Sequence, residues 1–269
     1  MKTVAFTPDP DSEARVIGYL HDVSKEMPNR TNRPCVVICP GGGYAFLSDR
    51  ETDPPAMAFF AKGYQVFILW YSVGEKAKDL RPLLDVSKTL LEIRSRSAEW
   101  HIDPERVAVL GFSAGAHVAA CLGTLWDDPA LKEKMDTRGG ENRPNAMILC
   151  YPVLTAGEFA HSGSAKLVCG GEPTEEQIRF FSLEKQVSGK TPPAFLWHTF
   201  ADQDVPLENT LQFASALRRV GVPFECHIFP NGGHGLSMCN EEVNTPNARC
   251  AEWFPLCAGW LGELFQFRY

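Results

Sequence analysis

Arg106-Val107-Ala108-Val109-Leu110-Gly111-Phe112-Ser113-Ala114-Gly115 runs from an apolar, β-branched stretch into a Gly-x-Ser-x-Gly turn. The residues that follow, Ala114 to Trp126, have helical composition. With glycine and serine each near 7% of residues, the bare five-residue pattern arises by chance in about one chain in ten of this length. The setting between strand and helix is what gives it meaning. A sharp turn that lifts a serine hydroxyl out of the end of a strand leaves no room for Cβ atoms at the flanking positions, and glycine supplies that room.

Outward from this turn, short β-branched and aromatic runs alternate with longer segments of helical period. The predicted strands are Cys35 to Cys39, Gln65 to Tyr71, Arg106 to Leu110, Ala146 to Tyr151, Ala194 to Thr199 and Phe224 to Phe229. Their nearly continuous apolar character suits strands covered on both faces. Leu80, Leu83, Leu84, Val86, Leu90, Leu91 and Ile93 recur at helical spacing and predict a helix with one buried face. Further helices are expected at Ala56 to Lys62, Ala114 to Trp126, Leu207 to Val220 and Asn247 to Phe265. The alternation predicts an α/β fold with a mostly parallel central sheet and helices on both faces, and residues 1–269 are expected to form a single domain. Between Thr155 and Pro193 glycines and prolines break the rhythm, so 155–193 is expected to be an irregular insertion. Such an insertion beyond the carboxyl ends of the strands either lines a ligand pocket or is a plain surface excursion.

The formal net charge is −7, and no Lys/Arg run builds a local basic patch, so nucleic acid is not an expected partner. The N-terminus meets Pro8, Asp9, Pro10 and Asp11 before an apolar run of signal-peptide length can form. Apolar runs such as Val66 to Tyr71 are of strand length, far below the roughly 20 residues of a membrane span. A soluble, cytoplasmic protein is expected, with no membrane partner. Nine cysteines are scattered through apolar segments without disulfide or zinc spacing, and none sits in a Gly-flanked turn. They read as buried, reduced thiols, and neither a metal nor a cofactor is expected.

A serine needs a hydrogen-bonded base to become a nucleophile at neutral pH. Of His21, His101, His117, His161, His198, His227 and His234, only His234 stands in a glycine-rich loop after the last predicted strand, Asn231-Gly232-Gly233-His234-Gly235. His117 opens the helix behind the turn and His198 lies in a buried strand; these and the remaining histidines read as structural or exposed. A carboxylate to orient the imidazole is expected in the loop after the penultimate strand, where Asp202 and Asp204 compete. Pro40-Gly41-Gly42-Gly43-Tyr44 follows the first predicted strand and can offer backbone donors to a developing oxyanion, from Gly41 or Gly42 together with Ala114. It lacks the Gly-Lys-Ser or Gly-Lys-Thr ending and the Gly-x-Gly-x-x-Gly spacing of phosphate-binding loops.

These segments resemble a bacterial α/β-hydrolase group related to acetyl esterases and acetyl-xylan-esterase-like proteins. The likeness is carried by Pro40 to Tyr44, Ser48-Asp49-Arg50-Glu51, Trp100 to Pro104, Gly111 to His117, Cys150 to Val153, His198 to Pro206 and Gly233-His234-Gly235. Proline at 40 departs from the usual histidine of the His-Gly-Gly-Gly loop. The segment His198 to Pro206 is similar to the His-Gly-x-x-Asp-x-x-Val-Pro loop of many such enzymes, and that alignment selects Asp202. The resemblance implies the α/β-hydrolase fold, a Ser113, Asp202, His234 triad, and a small-molecule ester substrate carrying a small acyl group, most often acetyl, on a sugar or other alcohol. An amide hydrolase with the same triad and a non-catalytic binding protein on the same fold are the alternatives. A glycosidase would need two carboxylates flanking a sugar bond, and no such pair stands out. The alcohol half and the oligomeric state are left open.

Overall fold

The structure is a computed structural model that describes residues 1–268. Eight strands form one sheet: β1 (Lys2–Phe6), β2 (Arg15–Leu20), β3 (Arg33–Cys39), β4 (Gln65–Trp70), β5 (Ile102–Phe112), β6 (Ala146–Cys150), β7 (Ala194–Thr199) and β8 (Phe224–Phe229). Their order across the sheet is β1-β2-β4-β3-β5-β6-β7-β8. β1 with β2 and β2 with β4 are antiparallel, and every pairing from β4 onward is parallel. The helices are α1 (Asp53–Ala61), α2 (Arg81–Ser95), α3 (Ala114–Leu125), α4 (Pro129–Lys132), α5 (Ser162–Cys169), α6 (Glu175–Phe181), α7 (Glu208–Val220) and α8 (Trp253–Leu264).

All residues of β3, β6 and β7 are buried. Two apolar clusters account for this: Val37, Leu83, Leu90, Val109, Leu122 and Leu149 belong to one, and Ile38, Phe59, Ile68, Leu110, Trp197 and Trp253 to the other. Successive side chains of a strand point to opposite faces, so neighbours such as Val37 and Ile38 feed different layers. α2 shows the apolar stripe that its leucine spacing predicts, with Leu83, Leu84, Leu90, Leu91 and Ile93 buried.

Two expectations change. The first pair of strands, β1 and β2, was not predicted. Both are partly exposed and bracket the Pro8 to Asp11 turn, so neither has the continuous apolar run that marks the central strands. The stretch 155–193 is not irregular throughout, because it holds α5, α6 and a 3₁₀ turn at Leu183–Lys185. Its glycines and prolines separate these short elements: Gly170 ends α5 in the left-handed region, and a Thr174/Gln177 capping box starts α6.

The parallel registers bring the carboxyl ends of five strands to one edge. Cys39 pairs with Gly111, Phe112 with Cys150, Cys150 with Trp197 and Thr199 with Phe229. Every segment singled out for chemistry leaves the sheet at this edge.

Candidate active site

Ser113 occupies the turn between β5 and α3 with φ 53° and ψ −118°, outside the regions where side chains are relaxed. Packing holds it there. Its N–H donates to Cys150 O at 3.0 Å, and its carbonyl accepts from Val153 N–H at 3.1 Å. The flanking glycines are required sterically: a Cβ on Gly111 would lie 2.2 Å from Gly115 O, and one on Gly115 would lie 2.1 Å from Cys39 O. The side chain of Ser113 opens into a pocket of about 380 Å³.

Ser113 Oγ is 2.7 Å from His234 Nε2 and can donate to it. His234 Nδ1–H donates to Asp202 Oδ2, also at 2.7 Å. The loop that carries His234 turns on Gly232 (φ 142°) and Gly235 (φ 72°). It is anchored by Thr199 Oγ1 donating to Gly232 O and by the Tyr151 ring, which meets the imidazole edge-on at 5.1 Å. Of the two competing carboxylates, Asp202 makes this contact, while Asp204 is exposed and gives its N–H to Asp202 Oδ1.

Asp202 is buried, and desolvation alone would raise its pKa. Hydrogen bonds from His198 and His234, the charge of His234 and the Val205 N–H overcome that, and hold the carboxyl well below the usual carboxylate range. His198 thus has a role that its place in a buried strand did not announce. Its Nε2–H is shared between Asp202 Oδ2 at 3.2 Å and Val205 O at 3.1 Å, and its Nδ1 lies 2.8 Å from Thr210 Oγ1. The sequence signal was the His-x-x-x-Asp spacing at the end of β7. His117 is structural, as its position on α3 suggested: its Nε2–H donates to Phe181 O and its Nδ1 accepts from Tyr44 OH.

The glycine loop after β3 differs from expectation in one donor. Gly41 N–H is already committed to the buried carboxylate of Glu51, at 2.7 Å from Oε2, and is not available to a substrate oxygen. Among the described residues the N–H groups of Gly42 and Ala114 have no acceptor. Gly42 sits at φ 126°, and a Cβ there would lie 2.1 Å from Phe46 O. Glu51 also accepts from Tyr151 OH at 2.6 Å, and Tyr151 Oη accepts from Ser237 N–H at 2.8 Å. One carboxylate therefore joins the glycine loop to the loop that presents His234. Burial raises the Glu51 pKa, against the opposing hydrogen bonds from Tyr151 and Gly41 and the charges of His234 and Arg50.

His161, Gly163 and Leu167, from the stretch 155–193, line the pocket with Phe46, Arg50 and Asp204. The nine cysteines are free thiols, most of them buried, and burial pushes up the pKa of those in the core, such as Cys39 and Cys121. Among the described residues no helix is long and apolar enough to cross a membrane.

A family model described as BD-FAE matches residues 21–217, a span that holds Ser113 and Asp202. The chain belongs to the BD-FAE family. This BD-FAE protein is 38% identical over 232 residues to endo-1,4-beta-xylanase B of Butyrivibrio fibrisolvens, a match covering 84% of this chain and 35% of that protein. It is 30% identical over 234 residues to an acetylxylan esterase of Xylanibacter ruminicola, covering 85% of this chain and 45% of that protein. The chain thus spans between a third and a half of the length of these curated relatives. Its structure is similar to the crystal structure of an acetyl ester-xyloside bifunctional hydrolase from Caldicellulosiruptor lactoaceticus, with 39% identity and a TM-score of 0.85. That likeness covers 97% of this chain and 92% of the other. The fold is the α/β-hydrolase fold, with the mostly parallel sheet and two-sided helical cover that the alternation of segments predicts.

Proposed function

We propose that this BD-FAE protein is a serine carboxylic-ester hydrolase that works through an acyl-enzyme and removes small acyl groups, acetyl foremost, from a sugar or other alcohol. The observation that carries the reading is the unbroken line Ser113 Oγ, His234 Nε2, His234 Nδ1, Asp202 Oδ2, with both hydrogen bonds at 2.7 Å. The names of the acetylxylan esterase and of the acetyl ester-xyloside hydrolase support the choice of acyl group and of alcohol.

In this reading Ser113 Oγ attacks the ester carbonyl carbon as its proton passes to His234 Nε2. Asp202, ionised in its hydrogen-bonded site, stabilises the imidazolium that results. The carbonyl oxygen, now an oxyanion, takes the N–H groups of Gly42 and Ala114, which act as an oxyanion hole. Each such donor typically contributes about 3 kcal/mol to transition-state stabilisation. The tetrahedral intermediate collapses as His234 returns the proton to the leaving alcohol, and water repeats the sequence on the acyl-Ser113 ester to release the acid.

A fluorophosphonate probe is expected to label wild-type protein at Ser113. Ser113→Ala should abolish labelling and lower kcat for acetyl esters by about 10⁴- to 10⁶-fold. Full activity in that variant would overturn the reading. Rates across acetyl, butyryl and octanoyl esters are expected to fall with chain length. Faster cleavage of the matching anilides would move the assignment to amides.

A further inference from the structure

The carbonyl end of an ester is read by the backbone donors beside Ser113, but the alcohol half must be read by side chains on the His234 side of the pocket. The leaving oxygen has to reach His234 Nε2 to be protonated, so whatever the alcohol carries next to that oxygen falls among the neighbours of His234. His161 is one of them. It lines the same pocket, and the charges of His234, Asp204 and Asp202 all reach it. Its ring stands over the glycine loop, with Cε1 3.5 Å from where a Gly43 Cβ would sit.

The protonation of this imidazole is set by the helix it caps. His161 is the N-cap of α5, and its Nδ1 accepts from Ser164 N–H at 3.2 Å and lies 2.8 Å from Ser164 Oγ. A nitrogen that accepts a backbone N–H carries no proton of its own, so in the neutral ring the proton is on Nε2. Among the described residues Nε2 has no partner. Burial and the His234 charge both disfavour a second proton, so the ring faces the pocket as a neutral donor. Around it the walls are mixed. Leu167 is apolar, and Phe46, 61% exposed, offers an open aromatic face at the rim. A donor beside apolar surface matches the two-sided character of a sugar ring, whose hydroxyls project at the edge while C–H groups cover the faces.

Resting on the esterase reading above, we infer that His161 is the specificity-determining residue for the alcohol half. Its Nε2–H donates to a hydroxyl oxygen neighbouring the scissile ester on a sugar, while Phe46 and Leu167 cover the ring's C–H face.

The test compares the monoacetate of methyl β-xylopyranoside with cyclohexyl acetate, a ring of the same size with no hydroxyl to accept the bond. His161→Asn is the variant of choice, because asparagine is a strong N-cap and keeps an acceptor for Ser164 N–H while removing the Nε2 donor. The ratio of kcat/KM for the sugar ester to that for cyclohexyl acetate is expected to fall about tenfold in His161→Asn, the size of one hydrogen bond to a neutral partner. Thermal melting near the wild-type temperature should accompany it, since the cap survives. An unchanged ratio, with hydrolysis still dependent on Ser113, overturns the role of His161 and leaves the esterase reading standing. Absence of Ser113-dependent hydrolysis of both acetates in wild-type protein overturns both.

Discussion

Glu51 makes two hydrogen bonds that reach far along the chain: one to Gly41, ten residues back, and one to Tyr151, a hundred residues on. Both partners sit beside groups proposed to act on substrate, Gly42 on one side and His234 on the other. Truncation would leave Gly41 N–H and Tyr151 OH buried without an acceptor, at a cost of about 1–3 kcal/mol each. It would also free the glycine loop to move away from the position an oxyanion takes. Glu51→Ala is therefore expected to lower kcat for acetyl esters by about 10- to 100-fold with a much smaller change in KM, because the donors it positions act chiefly in the transition state. Glu51→Gln should recover only part of the loss, since its single amide oxygen can accept from Gly41 N–H while Tyr151 OH, which donates to Glu51 in the wild type, loses its acceptor. Equal loss in both variants would show that the charge, not the tether, matters. Nothing local in the sequence marks Glu51 or His161 as parts of the site. Their contacts arise from strand order and from the docking of α5, which no spacing encodes. Ser113, Asp202 and His234 were legible because each stands in a loop that leaves a strand at its carboxyl end, in the order this fold uses.

At the scale of elements, the approach of α3 to β3 decides where the turn at Ser113 sits. Gly115, in the first turn of α3, faces the backbone of Cys39 and Pro40, and a methyl group there would lie 2.1 Å and 2.4 Å from their carbonyl oxygens. Backbone on both sides cannot rotate away. Gly115→Ala is expected to destabilise by about 2–3 kcal/mol in urea unfolding, and to lower activity by pushing Ala114 N–H away from Gly42. Gly259, exposed in α8 with open space around it, is the control. There alanine should be neutral or stabilising by up to about 1 kcal/mol, from helix propensity alone. A neutral Gly115→Ala would mean that the helix can slide without cost. The central strands were legible for the reason this packing is tight: both faces are covered, so their residues form long apolar runs, whereas α2 was legible from the helical spacing of its leucines. β1 and β2 escaped because one side of each meets solvent. α5 and α6 escaped because helices of eight and seven residues between glycines and prolines carry too few turns to show a period.

Across the whole molecule, His117 ties three separate parts together. It stands on α3, accepts from Tyr44 OH in the loop after β3, and donates to Phe181 O at the end of α6. Desolvation by burial lowers its pKa from 6.5 to about 4, with the bond to Phe181 O opposing weakly. A base that is harder to protonate when folded makes the folded state lose ground as pH falls. Above 6.5 neither state binds the proton and the contribution is intact; between 6.5 and about 4 the unfolded chain takes it up while the native ring stays neutral. The wild-type protein should therefore lose about 3 kcal/mol of stability through this histidine across that interval. Asp202 does not confound the window, because its depressed pKa sheds stability only as pH falls below its ordinary value of 3.8. His21 and His161, whose burial acts in the same direction, are common to both proteins in a paired comparison. Urea unfolding of wild type and His117→Gln at pH 7.5, 5.5 and 4.2 is the measurement. The variant is expected to be less stable at pH 7.5, where it loses a buried hydrogen-bonded ring, and to fall more gently with acid, so that the gap narrows toward pH 4.2. Parallel lines would mean that His117 is protonated alike in both states, and that burial does not govern its titration.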